Sequence, residues 1–515
     1  MVAEGQEADR SAQGAAAAER QESDRSPEGS PSVARSGRSR PTDIRRRIVI
    51  VGGGFGGLTL ARELRHADVE VTVVDRMHHH LFQPLLYQVA CGALSAGECA
   101  SSIRAALKRS TNATVLMAEA TGLDVERRQL ILDRGERLDY DSLIVACGAQ
   151  TSYFGNDQWR DVSCGLKTLA DAVDLRNRIY GAFEEAERAG DGAVREEWMT
   201  FVVIGGGPTG VEVAGELAIV AKHGLEREFT QIRPQDARVI LLDAGERVTA
   251  AFSEKLSRKV TQELASLGVT VRERARVTAI DARGVTIQVQ GAAPRAQGAA
   301  AHAQDAAAHA QGATAPASAG EERIAARTVI WAAGVQAAGF AVTLAQATGV
   351  DTDRAGRVQI EPDLTVPGHP EISAIGDATT LLAPGGGSRP LPGLATVAIQ
   401  QARHVAKVIA ADEPAARTPF RYFDKGALAV VGRGRAVCEI HGRRLSGRLA
   451  FAMYLTVHMY YLTGGGPGHR GKVLIDWVSA RLGDPQNQVI EGELGSVERV
   501  PAGAAAARSG AEAAG

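Results

Sequence analysis

Short apolar runs alternate with amphipathic segments along most of this chain. Each run is four or five residues long and rich in Val, Ile or Leu, and a stretch with apolar residues at helical spacing follows most of them. Six such runs are Ile48–Val51, Val71–Asp75, Leu143–Ala146, Phe201–Ile204, Val239–Asp243 and Val329–Ala332. Buried strands that alternate with helices predict an α/β fold with parallel sheets.

Three stretches lack this pattern. Residues 1–44 and 496–515 consist largely of small and polar residues, and we expect them to be disordered tails. Residues 291–320 repeat Ala, His and Gln between the strand-like segments VTIQVQ and TVIWAAG, which predicts an extended hairpin loop. With 515 residues, the chain is too long for one hydrophobic core, so we expect several packed domains.

Composition excludes several classes of protein. The 58 basic and 60 acidic residues give a net charge of −2, which does not favour nucleic-acid binding. The five cysteines are scattered without a CxxC motif, so neither a disulfide framework nor a zinc finger is predicted. Three adjacent histidines, His78 to His80, cannot easily converge on one ion, and we expect no metal site. A membrane-spanning helix is not expected either, because no run of 18 apolar residues occurs.

The first strand-like run leads into a dinucleotide-binding motif. Gly52 permits a tight turn, Gly54 lets the backbone approach a pyrophosphate, and Gly57 allows close helix packing. Phe55 begins the next helix, whose N-terminus offers a partial positive charge to phosphate. Asp75 ends the second strand, 23 positions after the first glycine (52 to 75), where a carboxylate can bind a ribose diol.

The same unit occurs a second time. Gly205, Gly207 and Gly210 follow the run TFVVI, and Asp243 ends the next strand. The 38 positions between the first glycine and the aspartate (205 to 243) exceed the usual interval, so we expect an extra helical excursion. The carboxylate would repel a 2′-phosphate, which favours NADH over NADPH, although Arg247 nearby leaves this preference open.

Two nucleotide units in one chain resemble the two-dinucleotide-binding-domain flavoproteins. In that family the first unit holds FAD and the second, inserted unit holds NAD(P)H. The segment ISAIGD resembles the late family strand that contacts the flavin, which implies cofactor-binding roles for Gly376 and Asp377. The segment TVIWAAGV, with Gly334, resembles a crossover between the domains. The implied fold has two Rossmann-like domains, for FAD and NADH, and a C-terminal membrane-associating region.

The branch of this family is indicated by further segments. A disulfide reductase needs two closely spaced cysteines beside the flavin, and Cys91 and Cys99 have the wrong spacing. Along residues 45–485 the chain resembles the type II NADH dehydrogenases, on HHHLFQPLLYQVACGALS and VVIGGGPTGVEVAGELA. This resemblance implies a single-subunit, non-pumping NADH:quinone oxidoreductase. Glu212 then resembles the acidic residue near the nicotinamide, or it is a first-turn glutamate stabilised by the helix dipole.

The segment LPGLATVAIQQARHVA resembles the family's quinone motif, Ala-Gln-x-Ala-x-Gln. Thr396 stands in place of the first Gln, and its hydroxyl can bond a quinone carbonyl with shorter reach. Together with the next family segment, the resemblance implies a quinone site formed by Ala395, Thr396, Ala398, Gln400, Lys425 and Leu428. Glu212, Gln400 and Lys425 are candidates for supplying protons during quinol formation. Lys425 could equally be a solvated turn lysine.

The resemblance also implies a domain division and a location. We expect an FAD-binding domain at 45–165 and 361–415, an NADH-binding domain at 166–360, and a quinone and membrane domain at 416–495. The segments LSGRLAFAMYLTVHMYYLTGG and GKVLIDWVSARL can lie in a bilayer interface, with Trp477 near the headgroups, or pack as core or homodimer helices. Because no export signal is recognised, we expect peripheral attachment at the cytoplasmic face.

Two other functions stay open at this point. A sulfide:quinone oxidoreductase would use Cys164 or Cys438 and ignore NADH. A soluble NAD(P)H-dependent flavin reductase or sensor would share both nucleotide units without needing the apolar C-terminal helices.

Overall fold

The structure, a computed structural model, describes residues 45–190, 192–225, 228–289, 320–382, 388–411, 417–462, 470–475 and 477. The two predicted tails and nearly all of the predicted loop at 291–320 lie outside these ranges. All structural statements below concern the described residues.

The first large sheet has the first strand of the chain near its centre. Its strands lie in the order Thr365–Val366, His369–Ala374, Ser142–Val145, Arg46–Val51, Val69–Asp75 and Ala113–Met117. All neighbours are parallel except the first pair. Helices Phe55–Glu63 and Ala395–Ala411 pack against each other beside this sheet. Because both faces of a parallel sheet are covered, the central strand buries Ile48 and Ile50 completely.

The second large sheet repeats this plan with four parallel strands. Their order is Val269–Arg272, Arg238–Leu242, Thr200–Ile204 and Thr328–Trp331. Helices Leu169–Arg188, Pro208–Ile219 and Glu254–Leu267 contribute to its core, where Phe183 stacks on Phe201. All six runs identified from the sequence form strands of the two sheets. The predicted α/β class is therefore confirmed.

A three-stranded antiparallel sheet of Ala275–Asp281, Gly284–Val289 and Glu321–Ala325 adjoins the second sheet. Its last strand returns from the low-complexity segment and pairs with Gly284–Val289. The hydrophobic pattern missed this strand, because Ile324 and Ala325 are its only apolar residues. The pattern indicated Thr328–Trp331 as the strand after the loop instead. That run joins the parallel sheet.

The remaining elements are short and connect these layers. Small sheets are formed by His79–Leu81 with Ala100–Ser102, Ala120–Asp124 with Gln129–Leu132 and Arg137–Asp139, Ala149–Thr151 with Val335–Ala337, and Val358–Ile360 with Thr379–Leu382 and Ser388–Arg389. Further helices and helical turns are Leu64–His66, Gln83–Leu85, Leu86–Ala90, Ala96–Cys99, Ile103–Ala106, Asp157–Asp161, Ala193–Trp198, Val220–Gly224, Pro234–Asp236, Gly339–Thr348 and Gly376–Ala378.

The C-terminal part is an antiparallel sheet followed by a helix. The strands are Ala427–Gly432, Arg435–Ile440 and Arg443–Gly447, and the helix is Arg448–Tyr461. The first strand packs tightly on helix Pro208–Ile219, because a Cβ on Gly215 would lie 1.9 Å from the carbonyl oxygen of Val431. Among the described residues, no helix has the length and apolar character that crossing a bilayer requires.

Candidate functional site

The first glycine loop is closed by backbone contacts that tolerate no side chain. Gly52 has φ +105° and donates its N–H to the carbonyl of Val74 at 2.8 Å. A Cβ on Gly52 would lie 2.3 Å from the carbonyl oxygen of Ala146, and one on Gly57 would lie 1.8 Å from the oxygen of Gly52. The loop and the following helix can therefore approach the strand only with glycine at both positions.

The same loop leaves the start of the helix open. Gly54 is the residue before helix Phe55–Glu63, and a Cβ there would meet no atom within 4 Å. Asp75 accepts hydrogen bonds from the backbone N–H of Gly53 at 2.6 Å and of Met77 at 2.7 Å. An open helix N-terminus suits a pyrophosphate, and the remaining lone pairs of the carboxylate suit a ribose diol, so the loop fits FAD.

His80 packs against this loop and bonds its backbone. This role was not predicted from the sequence. Its Nδ1 lies 3.1 Å from the carbonyl oxygen of Gly53, and its ring packs edge-on against Phe55 at 5.0 Å between centroids. Burial lowers the pKa of His80 to about 4, so the ring is neutral at neutral pH. The only sequence feature that could have indicated this role is the position of His80 in the segment HHHLFQP, which resembles a family segment.

The second glycine loop repeats the first in detail. Gly205 has φ +111°, and a Cβ on Gly210 would lie 1.9 Å from the carbonyl oxygen of Gly205. Asp243 accepts from the N–H of Gly206 at 2.5 Å and of Gly245 at 2.7 Å. A Cβ on Gly207, the counterpart of the open glycine in the first loop, would meet nothing within 4 Å. The second loop therefore fits a second dinucleotide.

The long interval before Asp243 is accommodated outside this geometry. Helix Pro208–Ile219 continues into a π-helical turn, and a 3₁₀ turn at Pro234–Asp236 precedes the strand. Between them, the Glu187 carboxylate accepts backbone N–H bonds at 2.9 Å from Thr230, Gln231 and Ile232. The predicted excursion is present. After it, strand Arg238–Leu242 pairs in parallel with Thr200–Ile204 along its full length.

Arg247 does not lie free beside the carboxylate of Asp243. Its guanidinium donates to the carbonyl oxygens of Phe252 at 2.9 Å and Ala250 at 3.1 Å, and to the Ser257 hydroxyl at 3.1 Å. An arginine held by two carbonyls of its own loop and a hydroxyl of the next helix is poorly placed to bind a 2′-phosphate. This arrangement strengthens the expected preference for NADH.

The predicted late flavin contact lies where the FAD loop meets helix Ala395–Ala411. Gly376 has φ +78° and donates its N–H to Oε1 of the buried Gln401 at 2.7 Å. A Cβ on Gly393 would lie 3.5 Å from the Asp377 carboxylate, so this group faces the start of the helix. Gly334 is different, because a Cβ there would lie 2.4 Å from the Phe154 ring. Gly334 thus packs within the crossover.

Glu212 lies near the start of helix Pro208–Ile219, just after its first turn. Its half-buried carboxyl accepts a 3.4 Å hydrogen bond from the N–H of Val430, and desolvation raises its pKa to about 8. One turn later, the buried Glu216 forms an ion pair with Arg433 at 3.4 Å. Glu212 is therefore protonated at neutral pH, unlike a glutamate that only stabilises a helix end.

Two buried tyrosines lie in the same region. The hydroxyls of Tyr87 and Tyr454 are 3.3 Å apart, and Gln88 donates to the Tyr87 oxygen at 2.9 Å. Burial raises the pKa of both phenols, and the ionised form of Glu212, which exists at the high pH where phenols titrate, adds to this effect. The motif search did not single out this pair.

Part of the predicted quinone set lies along the first turns of helix Ala395–Ala411, where Thr396 and Gln400 contact Tyr422 and Phe423. The Gln400 amide donates to the carbonyl of Phe423 and accepts its N–H, both at 3.0 Å. The hydroxyl of Thr396 lies 3.3 Å from that of Tyr422. Ala395 and Ala398 lie in the first turn of the helix, where Ala398 is buried close to Gly376. Lys425 bonds the Tyr461 hydroxyl at 2.9 Å. Leu428 lies in strand Ala427–Gly432, opposite Cys438 of the neighbouring strand.

The last described segment is bonded to the segment that follows His80. Trp477 donates its indole N–H to Gln88 at 2.6 Å, and Lys472 forms an ion pair with the buried Glu98 at 2.5 Å. The indole N–H of Trp477 is thus used inside the protein, and the expected place of this side chain near lipid headgroups stays a prediction.

The cysteines are poorly placed for thiolate chemistry. Burial raises the pKa of Cys91 and Cys99 well above the ordinary thiol value, and that of Cys164 to about 12. Cys438 is buried as well, and its pKa is also raised. Because the thiolate is the reactive form, these environments disfavour both a disulfide reductase and a cysteine-dependent sulfide oxidase.

Comparison with known proteins gives the family. Residues 46–402 match the pyridine nucleotide-disulphide oxidoreductase family. The chain is 40% identical over 465 residues to the type II NADH:quinone oxidoreductase NdhA of Mycobacterium tuberculosis, covering 88% of this chain and 91% of that protein. The chain belongs to the type II NADH:quinone oxidoreductases. A second relative in that organism, Ndh, is 40% identical over 427 residues, with coverages of 82% and 85%.

Solved structures support the fold of this type II oxidoreductase. The NDH2 of Plasmodium falciparum, solved in complex with NADH, aligns with a TM-score of 0.72 at 19% identity, covering 86% of this chain and 99% of that one. The sulfide:quinone oxidoreductase of Aquifex aeolicus aligns with a TM-score of 0.62 at 16% identity, covering 85% and 96%. At these identities the likeness concerns the fold alone. The family resemblance predicted from the motifs is confirmed by the sequence relatives.

We expect Asp243→Asn to weaken the preference for NADH. The change removes the charge that binds a ribose diol and repels a 2′-phosphate, while an amide oxygen can still accept the backbone N–H of Gly206. Because hydrogen bonds to charged groups contribute about 1.5–3 kcal/mol, kcat/KM for NADH should fall about 10- to 100-fold. The fall for NADPH should be smaller.

Steady-state kinetics with both nucleotides check this prediction, and Asp236→Asn is the matched control. Asp236 is an exposed aspartate before the same strand, outside the loop. An unchanged ratio of the two kcat/KM values in Asp243→Asn would contradict the assignment.

Proposed function

We propose that this chain oxidises NADH with FAD as cofactor and passes the two electrons to a membrane quinone without pumping protons. The observation that carries this proposal is the pair of matching glycine loops, Gly52 to Gly57 and Gly205 to Gly210, each with an aspartate bonded to it. The sequence predicted an NADH:quinone oxidoreductase activity, FAD as cofactor and NADH as substrate. Membership of the type II family confirms these three predictions.

Named side chains and backbone groups would hold the two nucleotides. The open N-terminus after Gly54 would take the FAD pyrophosphate, Asp75 the ribose, and Asp377 a ribityl or phosphate group. The N-terminus after Gly207 and the carboxylate of Asp243 would do the same for NADH. When bound, FAD accepts a hydride from NADH and returns two electrons to the quinone, which takes up two protons to become a quinol.

Glu212 is the best candidate for holding one of these protons. With a pKa of about 8, its carboxyl carries a proton at neutral pH and can release it without a large free-energy cost. Tyr87 and Tyr454 keep their protons to much higher pH, since burial raises the pKa of both. Lys425 is exposed and donates a hydrogen bond to the Tyr461 hydroxyl.

The function is tested by anaerobic stopped-flow mixing of the purified flavoprotein. We expect NADH to bleach the flavin absorbance rapidly and a short-chain quinone, added in a second mix, to restore it. Bleaching without reoxidation by quinone would favour a soluble flavin reductase or sensor. Bleaching by sulfide but not by NADH would favour a sulfide:quinone oxidoreductase.

We expect quinone reduction to lose activity above pH 8 because Glu212 gives up its proton there. Below its pKa the carboxyl can donate a proton to the reduced quinone, and above it the carboxylate cannot. Glu212→Gln cannot ionise, so the descending limb near pH 8 should vanish and turnover at pH 7 should fall about 10- to 100-fold. The measurement is the pH profile of kcat with saturating NADH.

Glu254→Gln is the matched control for this profile. Glu254 begins another helix of the same domain, and 70% of its side chain is exposed. A limb near pH 8 that persists in Glu212→Gln would assign the titration to another group.

We further propose that the C-terminal region lies on a bilayer surface. Leu449, Tyr460, Leu474 and Ile475 are all at least half exposed, with Ile475 at 64%. Arg448 begins helix Arg448–Tyr461, and Arg443 begins the strand before it. Both are exposed, and their cations suit anionic headgroups.

Phe423 and Leu394, which lie next to predicted quinone residues, are exposed too. A lipid-soluble quinone could then enter from the membrane. Because NADH is supplied from the cytoplasm, this surface would face the cytoplasmic side.

Vesicle binding tests the proposed membrane surface. Since each buried aliphatic side chain contributes about 1.5–3 kcal/mol, Leu449→Glu with Ile475→Glu should reduce binding to phosphatidylglycerol-containing vesicles by tenfold or more. Turnover with a water-soluble quinone should persist. Val194→Glu, at a 48% exposed valine in another part of the fold, is the control. If the wild type, the Leu449→Glu and Ile475→Glu double variant and the Val194→Glu control bind vesicles equally, the exposed C-terminal side chains would instead belong to core or homodimer packing.

A further inference from the structure

The quinone motif of this chain departs from its family at Thr396, and the structure places a second hydroxyl beside it. The Tyr422 oxygen lies 3.3 Å from the Thr396 oxygen. We propose that Tyr422, oriented by Thr396, donates the hydrogen bond to the quinone carbonyl, and that Gln400 positions Tyr422 instead of binding the quinone itself. This assignment rests on the proposed function, since it names residues that recognise the quinone.

The contacts of Gln400 argue for a positioning role. Its amide forms a reciprocal pair with the backbone of Phe423, in which Nε2 donates to the carbonyl and Oε1 accepts the N–H, both at 3.0 Å. Both ends of the amide are therefore used to fix the chain next to Tyr422. A quinone could recruit this amide only by competing with two formed hydrogen bonds.

The location of Tyr422 suits contact with a quinone. Thr396 lies in the first turn of helix Ala395–Ala411, and this turn reaches the Gly376–Ala378 turn, because a Cβ on Gly376 would lie 3.5 Å from that of Ala398. Tyr422 is half-buried beside it, while the neighbouring Phe423 is 60% exposed. The phenol thus lies beside the helix turn that carries the predicted quinone motif and next to an exposed aromatic side chain.

The chemistry of the two hydroxyls explains how threonine can replace the family's glutamine. A threonine hydroxyl reaches less far than a glutamine amide, but it can donate its proton to the phenol oxygen. The phenol is then free to donate its own proton to a quinone carbonyl. The tyrosine side chain restores the reach that the shorter residue loses, and the threonine fixes its direction.

Tyr422→Phe tests this assignment, because it removes only the hydroxyl. We expect kcat/KM for a short-chain quinone to fall about tenfold, mainly through a higher KM, while the rate of flavin bleaching by NADH stays unchanged. Thr396→Val should cause a smaller fall by releasing the phenol. Thermal unfolding and FAD content of each variant show that the fold is retained. Tyr140→Phe is the control, since the buried Tyr140 hydroxyl bonds no described residue.

A rescue experiment separates hydrogen bonding from packing. Thr396→Gln in the Tyr422→Phe background restores the family's amide, and we expect quinone kinetics to return toward the wild-type values. Unchanged quinone kinetics in Tyr422→Phe would overturn the proposal, and so would a defect that the restored glutamine leaves in place. If wild-type reduced flavin is not reoxidised by quinone at all, the proposed function fails instead.

Discussion

Both nucleotide sites depend on the close approach of a helix to the strand that precedes it. At the first site Gly57 packs on the carbonyl of Gly52, and at the second Gly210 packs on that of Gly205, at distances that leave no room for a Cβ. This packing directs the N-terminus of each helix at the ligand position. The aspartate at the end of the neighbouring strand then bonds the loop backbone, so one constraint fixes the turn, the helix dipole and the ribose-binding carboxylate together.

The C-terminal part packs against the second of these units. Its first strand packs against the helix that carries Glu212 and bonds that carboxyl through the N–H of Val430. Lys472 forms an ion pair with Glu98 and Trp477 bonds Gln88, so the last described residues are held against the segment that follows His80.

Sequence patterns were reliable where local chemistry alone decides the structure. The glycine positions follow from backbone sterics within a few residues, and the apolar runs follow from burial on both faces of a parallel sheet. Asp243 was less certain because of its long interval, yet its two backbone hydrogen bonds match those of Asp75. The insertion changes the surface path of the chain and leaves the strand register intact.

The sequence by itself therefore determined the α/β class, both nucleotide motifs and the family, because these depend on short-range spacing. Only the tertiary structure decided the roles of side chains that meet from distant parts of the chain. The buried His80, the carboxyl of Glu212 with its pKa near 8, the pairing of Gln400 with Phe423, and the inward bond of Trp477 belong to this group. Desolvation and long-range hydrogen bonds arise only when these segments pack together, and no local pattern records them.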